Sequence, residues 1–243
     1  MLLKEHLSYF QHYIMKKTIV ILLFLSCAPF LFSQVVILPA SDLFSDYSGQ
    51  IRSTIDKRTS NIEGSPYVFE EFQDGIVYPK NRSQGFTIQL NINAYSEMFE
   101  FLFEGDNFEM PAYAFDSIII AGSTFIPVSE FKNDVVTFYA MEVIDRDGQG
   151  NYLVKEYVIN LLEATMAKAY HQPTPARYQV FPANYFIYDS GQRTLVPLRN
   201  LRRLEKNLDY PNGTKEFIHE NHLKPRKIED LKKLFRYLYP SAK

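Results

Sequence analysis

The sequence predicts an α+β protein, mainly β: an antiparallel meander forming a curved sheet or partly open barrel, with a C-terminal cap of about three short helices. Three observations carry that expectation. Runs in which apolar and polar residues alternate recur between residues 64 and 198. They are separated by short stretches rich in Gly, Asn, Asp and Pro, the residues of tight turns. Beyond residue 199 the apolar period changes to that of a helix and basic residues become dense.

Residues 1–33 read as a signal peptide. Met15-Lys16-Lys17 is a short positive stretch, and Met15 is an alternative start. The apolar run from Thr18 to Phe32 that follows is too short for a typical membrane-spanning helix. Leu25-Ser26-Cys27 partly matches a lipid-attachment motif, but the chain stays apolar after Cys27, so the lipoprotein reading ranks second. Cleavage after Ser33 leaves no cysteine, and therefore no disulfide, thiol nucleophile or Cys-ligated metal. The expected destination is the periplasm, the outer-membrane surface or the exterior, with no membrane span in the mature chain.

Residues 34–63 form a polar N-terminal arm with a short helix expected near Ser45 to Lys57. The turn Gly64-Ser65-Pro66 opens the β domain, residues 64–198, and "GSPYVFEEFQDGIVY" is expected to start the sheet. In "GFTIQLNINAY", Phe86, Ile88, Leu90 and Ile92 alternate with Thr87, Gln89, Asn91 and Asn93, which predicts one buried and one wet face. "EMFEFLFEG" places Phe99, Phe101 and Phe103 on one side of a partner strand. "DSIIIAG" and "TFIPVSEF" follow, and Pro127 suits the second to a sheet edge. "DVVTFYAMEVI" and "NYLVKEYVINLL" flank the hairpin loop "DRDGQGN". "RYQVFPANYFIYD" and "RTLVPLR" form a last pair around Ser190-Gly191-Gln192.

The basic helical segment covers residues 199–243. It comprises a helix over Arg199 to Leu208, a second with Phe217 and Ile218 inward, and a third with an apolar stripe of Ile228, Leu231, Leu234, Phe235 and Leu238. From Gln34 to Gln192 the chain has 10 basic and 21 acidic residues, a net of −11; from Arg193 to Lys243 it has 13 and 6, a net of +7. Arg202, Arg203, Lys232, Lys233 and Arg236 are therefore candidate anion-binding residues. The simpler expectation is that the basic tail packs on the acidic body of its own chain.

Candidate chemistry is thin. His219 and His222 lie three apart around Glu220, one residue short of the zinc-protease spacing and without an evident third ligand. Asp145 and Asp147 in "DRDGQGN" carry part of a calcium-loop pattern, though Asp and Gly are also what a hairpin turn requires. His171, in a Pro-rich loop, could act as a base with Glu163. Neither a nucleophile elbow nor a phosphate-cradling glycine loop is present, and no cofactor or nucleic-acid partner is expected.

The order "GSPYVFEEFQDGIVY", "LNINAYSEMFEF", "LRRLEKNL" and "IHENHLKPRKIEDLKKLFRYL" resembles uncharacterised secreted proteins of the Bacteroidetes. The likeness runs from about Gly64 to Tyr239 and implies a shared plan without an activity. Within that phylum, Asp116-Ser117-Ile118 resembles an O-glycosylation signal at Ser117. The expected role is a non-catalytic binding or assembly module acting on an envelope protein. A carrier of a lipid or other apolar ligand in a half-open barrel comes second, and a hydrolase using His171 third.

Overall fold

The computed structural model describes residues 37–47, 51–53, 62–132, 134–166, 173–201, 204 and 213–240. The expected signal peptide, Cys27, most of the helix over Arg199 to Leu208, His171, Arg202 and Arg203 lie outside the described residues. Twelve strands and three α-helices are described. They are β1 (Ile37–Leu38), α1 (Ala40–Tyr47), β2 (Arg52–Ser53), β3 (Gln73–Pro79), β4 (Gly85–Asn93), β5 (Met98–Phe103), β6 (Asp106–Pro111), β7 (Phe115–Ile120), β8 (Ser123–Lys132), β9 (Val135–Arg146), β10 (Asn151–Leu162), β11 (Arg177–Asp189), β12 (Thr194–Pro197), α2 (Thr214–Glu220) and α3 (Ile228–Leu238). The strands form one open sheet in the order β12-β11-β10-β9-β8-β7-β3-β4-β5-β6-β2, with β1 parallel to the start of β4. The predicted class, a mainly antiparallel curved sheet with short helices, is the observed one.

The sheet bends because a short connection forces it to. Only Ala112–Ala114, a 3₁₀ turn, joins β6 to β7, although β5, β4 and β3 lie between them in the sheet. Four flat inter-strand steps would span about 19 Å, more than the roughly 14 Å that four residue steps can reach. The first half must curl until the end of β6 returns to β7. Phe86, Leu90, Phe99, Phe101, Phe115 and Phe125 fill that curl, with Leu43 of α1 against them. Phe99 meets Phe115 edge-to-face at 5.3 Å.

The second half curls toward the opposite face. Alternate residues of β8, β9 and β10 point to opposite sides. Phe125, Phe138, Ala140 and Tyr157 belong to the first core, whereas Val128, Met141 and Val154 form another with Tyr188 of β11. The hydroxyls of Tyr188 and Ser129 lie 3.2 Å apart, tying β11 across to β8. The convex side of this half is covered by the C-terminal helices. Leu231, Leu234, Phe235 and Leu238 pack with Leu153, Ile187, Val196 and Leu198, as the apolar stripe requires.

Four expectations are corrected. The stretch from Gly64 to Phe72 is not the first strand; it is a strap, and β3 begins only at Gln73. The helix expected near Ser45 to Lys57 lies earlier, at Ala40–Tyr47, and Arg52–Ser53 instead pairs with β6. β8 is not an edge strand, yet Pro127 causes no loss: pairing with β7 ends at Phe125, so Pro127 has a partner strand only on the β9 side. Finally, Asn91 does not face water. It is buried, for a reason described next.

Candidate functional site

Two polar networks are set into otherwise apolar faces. The first holds the strap. Asn91 Oδ1 accepts hydrogen bonds from the backbone N–H of Phe69 (3.2 Å) and Ile92 (2.8 Å). Its Nδ2 donates to the carbonyls of Phe69 (2.8 Å) and Glu71 (3.2 Å). The amide thus uses its full bonding capacity, which offsets the cost of burying it. Beside it, buried Glu100 accepts from Tyr67 Oη at 2.6 Å and Asn93 Nδ2 at 2.8 Å. Asn93 Oδ1 also accepts from the N–H groups of Tyr95 and Ser96, closing the β4–β5 turn.

The other end of the strap reaches β11. Glu63 N–H donates to the Ala176 carbonyl (2.9 Å), and Tyr178 N–H donates to the Glu63 carbonyl (2.8 Å). Gly64 sits at φ +81°, and a Cβ there would lie 2.9 Å from the Tyr178 carbonyl oxygen, so glycine is required on both counts. The Gly-Ser-Pro-Tyr motif is therefore a clamp: a glycine for close approach, a serine turn, a carbonyl that accepts from Ala94 and a tyrosine that reaches Glu100.

The second network spans β8, β9 and β10. Glu142 accepts from Ser123 Oγ (2.7 Å), Lys155 Nζ (3.0 Å) and Tyr157 Oη (2.8 Å), and Lys155 Nζ lies 4.0 Å from the Tyr157 ring centroid. Burial pulls the Glu142 carboxyl upward, but these donors and the lysine charge outweigh it and hold the group below its ordinary range. Lys155 is pushed downward by desolvation, yet its bonds to Tyr157 and Glu142 leave it above its usual value. Burial raises Tyr157. These directions suit a permanent ion pair. A lysine held charged is no nucleophile, a phenol pushed upward forms no phenolate, and a depressed carboxylate is a weak base.

A pH dependence follows. Glu142's contribution to stability is full above its ordinary value of 4.5 and is lost as pH falls through its lowered folded value. That of Lys155 is full below 10.5 and is lost as pH rises through its raised folded value. Glu142→Gln should cost about 1–3 kcal/mol near neutral pH, with the difference from wild type shrinking as acid titrates the glutamate. Urea unfolding across pH checks this, and a pH-independent difference would refute it.

The sequence candidates are dispersed. His219 and His222 lie at the end of α2 with ring centroids 6.3 Å apart, beside a cleft of about 960 Å³ also lined by Leu201, Ile218 and Leu223. No group of three or more potential metal ligands converges among the described residues. Asp147 accepts from the N–H groups of Gln149 and Asn151 and from the Asn151 side chain. Desolvation opposes these bonds, but they leave its carboxyl below the ordinary value. Asp145 accepts from Arg236 Nε at 2.9 Å, joining the acidic body to the basic tail. Lys232 pairs with Glu229, and Lys233 donates to Asn221. Glu163 is exposed just beyond β10, shortly before Thr165, which pairs with Thr174. Ser117 lies within β7, opposite Tyr78 of β3.

The networks were missed because which polar side chains meet across neighbouring strands depends on register, which the alternation pattern does not give. A usable signal existed at Glu100, the one polar residue in the apolar run from Met98 to Phe103.

Together, the curled sheet, the clamp and the ion-pair staple define an open antiparallel β protein with a helical cap. No helix among the described residues is long and apolar enough to cross a membrane. The chain matches no protein-family model, no curated protein and no solved structure.

Proposed function

We propose that this is an exported envelope protein of the secreted Bacteroidetes type, acting as a non-catalytic binding or assembly module. The observation that carries this reading is the chemistry of its buried and half-buried polar groups. Glu142, Lys155 and Tyr157 are engaged with one another, Asn91 with backbone and Glu100 with Tyr67 and Asn93, and the shifts keep Glu142 and Lys155 charged and Tyr157 protonated. The concave interior of the second curl is filled by Val128, Met141, Val154 and Tyr188, which occupy the volume a ligand in a barrel mouth would need.

A carrier reading draws support from the cleft at the helices, whose volume suits a small amphipathic ligand. Non-denaturing mass spectrometry of the protein taken from its native envelope separates the readings. A complex with a second polypeptide is the expected result. A co-purified lipid or small molecule would shift the assignment to the carrier, and the bare chain would end the assembly reading. The same spectrum gives the mass of the mature N-terminus and any acyl chain on Cys27.

A further inference from the structure

β9 and β10 are each twelve residues long, yet they pair only from Tyr152↔Arg146 to Lys155↔Glu142. Past that point the strands part. β9 continues with β8 alone and β10 with β11 alone, so among the described residues each has one free edge facing the fork. The staple around Glu142 sits at the crotch. Just beyond it, the β4–β5 turn wedges into the gap. A cavity of about 20 Å³, room for roughly one water, is lined there by Ala94, Glu97, Tyr139, Ala140, Glu156 and Tyr157.

Two properties of the fork point to its occupant. Its outer part is apolar: on β9 Val135 is 60% exposed and Val136 39%, and Phe131 of β8, cross-strand from Val136, is 61% exposed, so an apolar tip borders a bare edge of the kind native proteins usually cover or blunt with charge. Its inner part is acidic. Burial, then the charges of Glu130 and Glu97, raises the Tyr139 hydroxyl, and burial with the charge of Glu156 raises Glu97. Glu156 accepts from Asn184, a neutral group, and no cation pairs with Glu97, Glu130 or Glu156 among the described residues.

We infer that the fork between β9 and β10 is a docking edge for an extended, basic segment of a partner protein. The segment adds a strand to β9, sets Lys or Arg against Glu97, Glu130 and Glu156, and lays apolar side chains over Val135 and Val136. This rests on the binding reading above and gives it a surface and a partner chemistry.

The test uses a synthetic peptide of alternating valine and lysine, about eight residues long, as a probe of strand length. Hydrogen exchange on the full chain should show protection of the fork-facing amides between Val135 and Ala140 on adding it, the alternate ones being already paired with β8, and that protection should be lost at high salt. A control with glutamate in place of lysine should give none. Glu97→Gln combined with Glu156→Gln should weaken binding by about three- to tenfold. Equal protection by the acidic control, or protection elsewhere on the chain, overturns the inference. So does protection of the same amides by phosphatidylcholine vesicles alone, which would make the tip a lipid contact. So does protection that rises with protein concentration without peptide, which would make the occupant a second copy. If mass spectrometry finds a protein partner while the peptide leaves these amides unprotected, the surface is wrong and the binding reading stands.

Discussion

Asn91→Asp should destabilise the protein by about 3 kcal/mol or more at neutral pH, a large effect for one atom exchanged. The replacement turns a donor into an acceptor opposite the carbonyls of Phe69 and Glu71, and it buries a charge that no cation meets among the described residues. The aspartate can relieve this only by binding a proton, so the deficit should narrow in acid. Urea unfolding at two pH values reads the size and the trend. Hydrogen exchange should localise the first damage to Val68 and Ala94, whose N–H groups bond across the strap to Ile92 and Pro66. A variant as stable as wild type would mean that the strap contributes nothing to the fold.

Leu234→Ala should cost about 2–5 kcal/mol. The side chain is completely buried between α3 and the convex face, among Leu153, Ile187 and Leu231. A helix of eleven residues has little stability alone, so its persistence depends on that contact. Arg236→Ala, one turn from the same face, should change stability by less than about 1 kcal/mol, because its ion pair with Asp145 is largely solvated on the arginine side. If the two variants proved equally costly, charge rather than apolar burial would be holding the cap.

The two substitutions mark what the sequence could and could not reveal. Leu234 was legible: it belongs to a stripe of helical period, and the structure buries four of its five members fully. Asn91 was misread, because alternation assigns a residue to a face without saying whether that face is wet. Glu100, on the same parity, is likewise buried, under Tyr67. Pro127 was read as suiting β8 to a sheet edge; β8 lies inside the sheet, and the proline is accommodated because the strand's partners on its two sides end at different points. The fork was invisible for a related reason. "DVVTFYAMEVI" and "NYLVKEYVINLL" read as a hairpin along their whole length, and only the wedge from Ala94 to Glu97, some forty residues upstream, accompanies their parting. The staple shares this non-local character, drawing Ser123, Glu142, Lys155 and Tyr157 from three strands.

The strap also sets an order of events. Its two ends belong to parts of the chain far apart in sequence: Tyr67 bonds to Glu100, while Glu63 bonds to Ala176 and Tyr178. The β3 to β6 curl closes through short connections and can form early, when little loop entropy opposes it. The contact at Glu63 has to wait until every strand from β7 to β11 has been laid down in register. A chain that has come through the narrow end of synthesis or transport only as far as β10 can therefore hold its first core while the girdle around it stays unfastened.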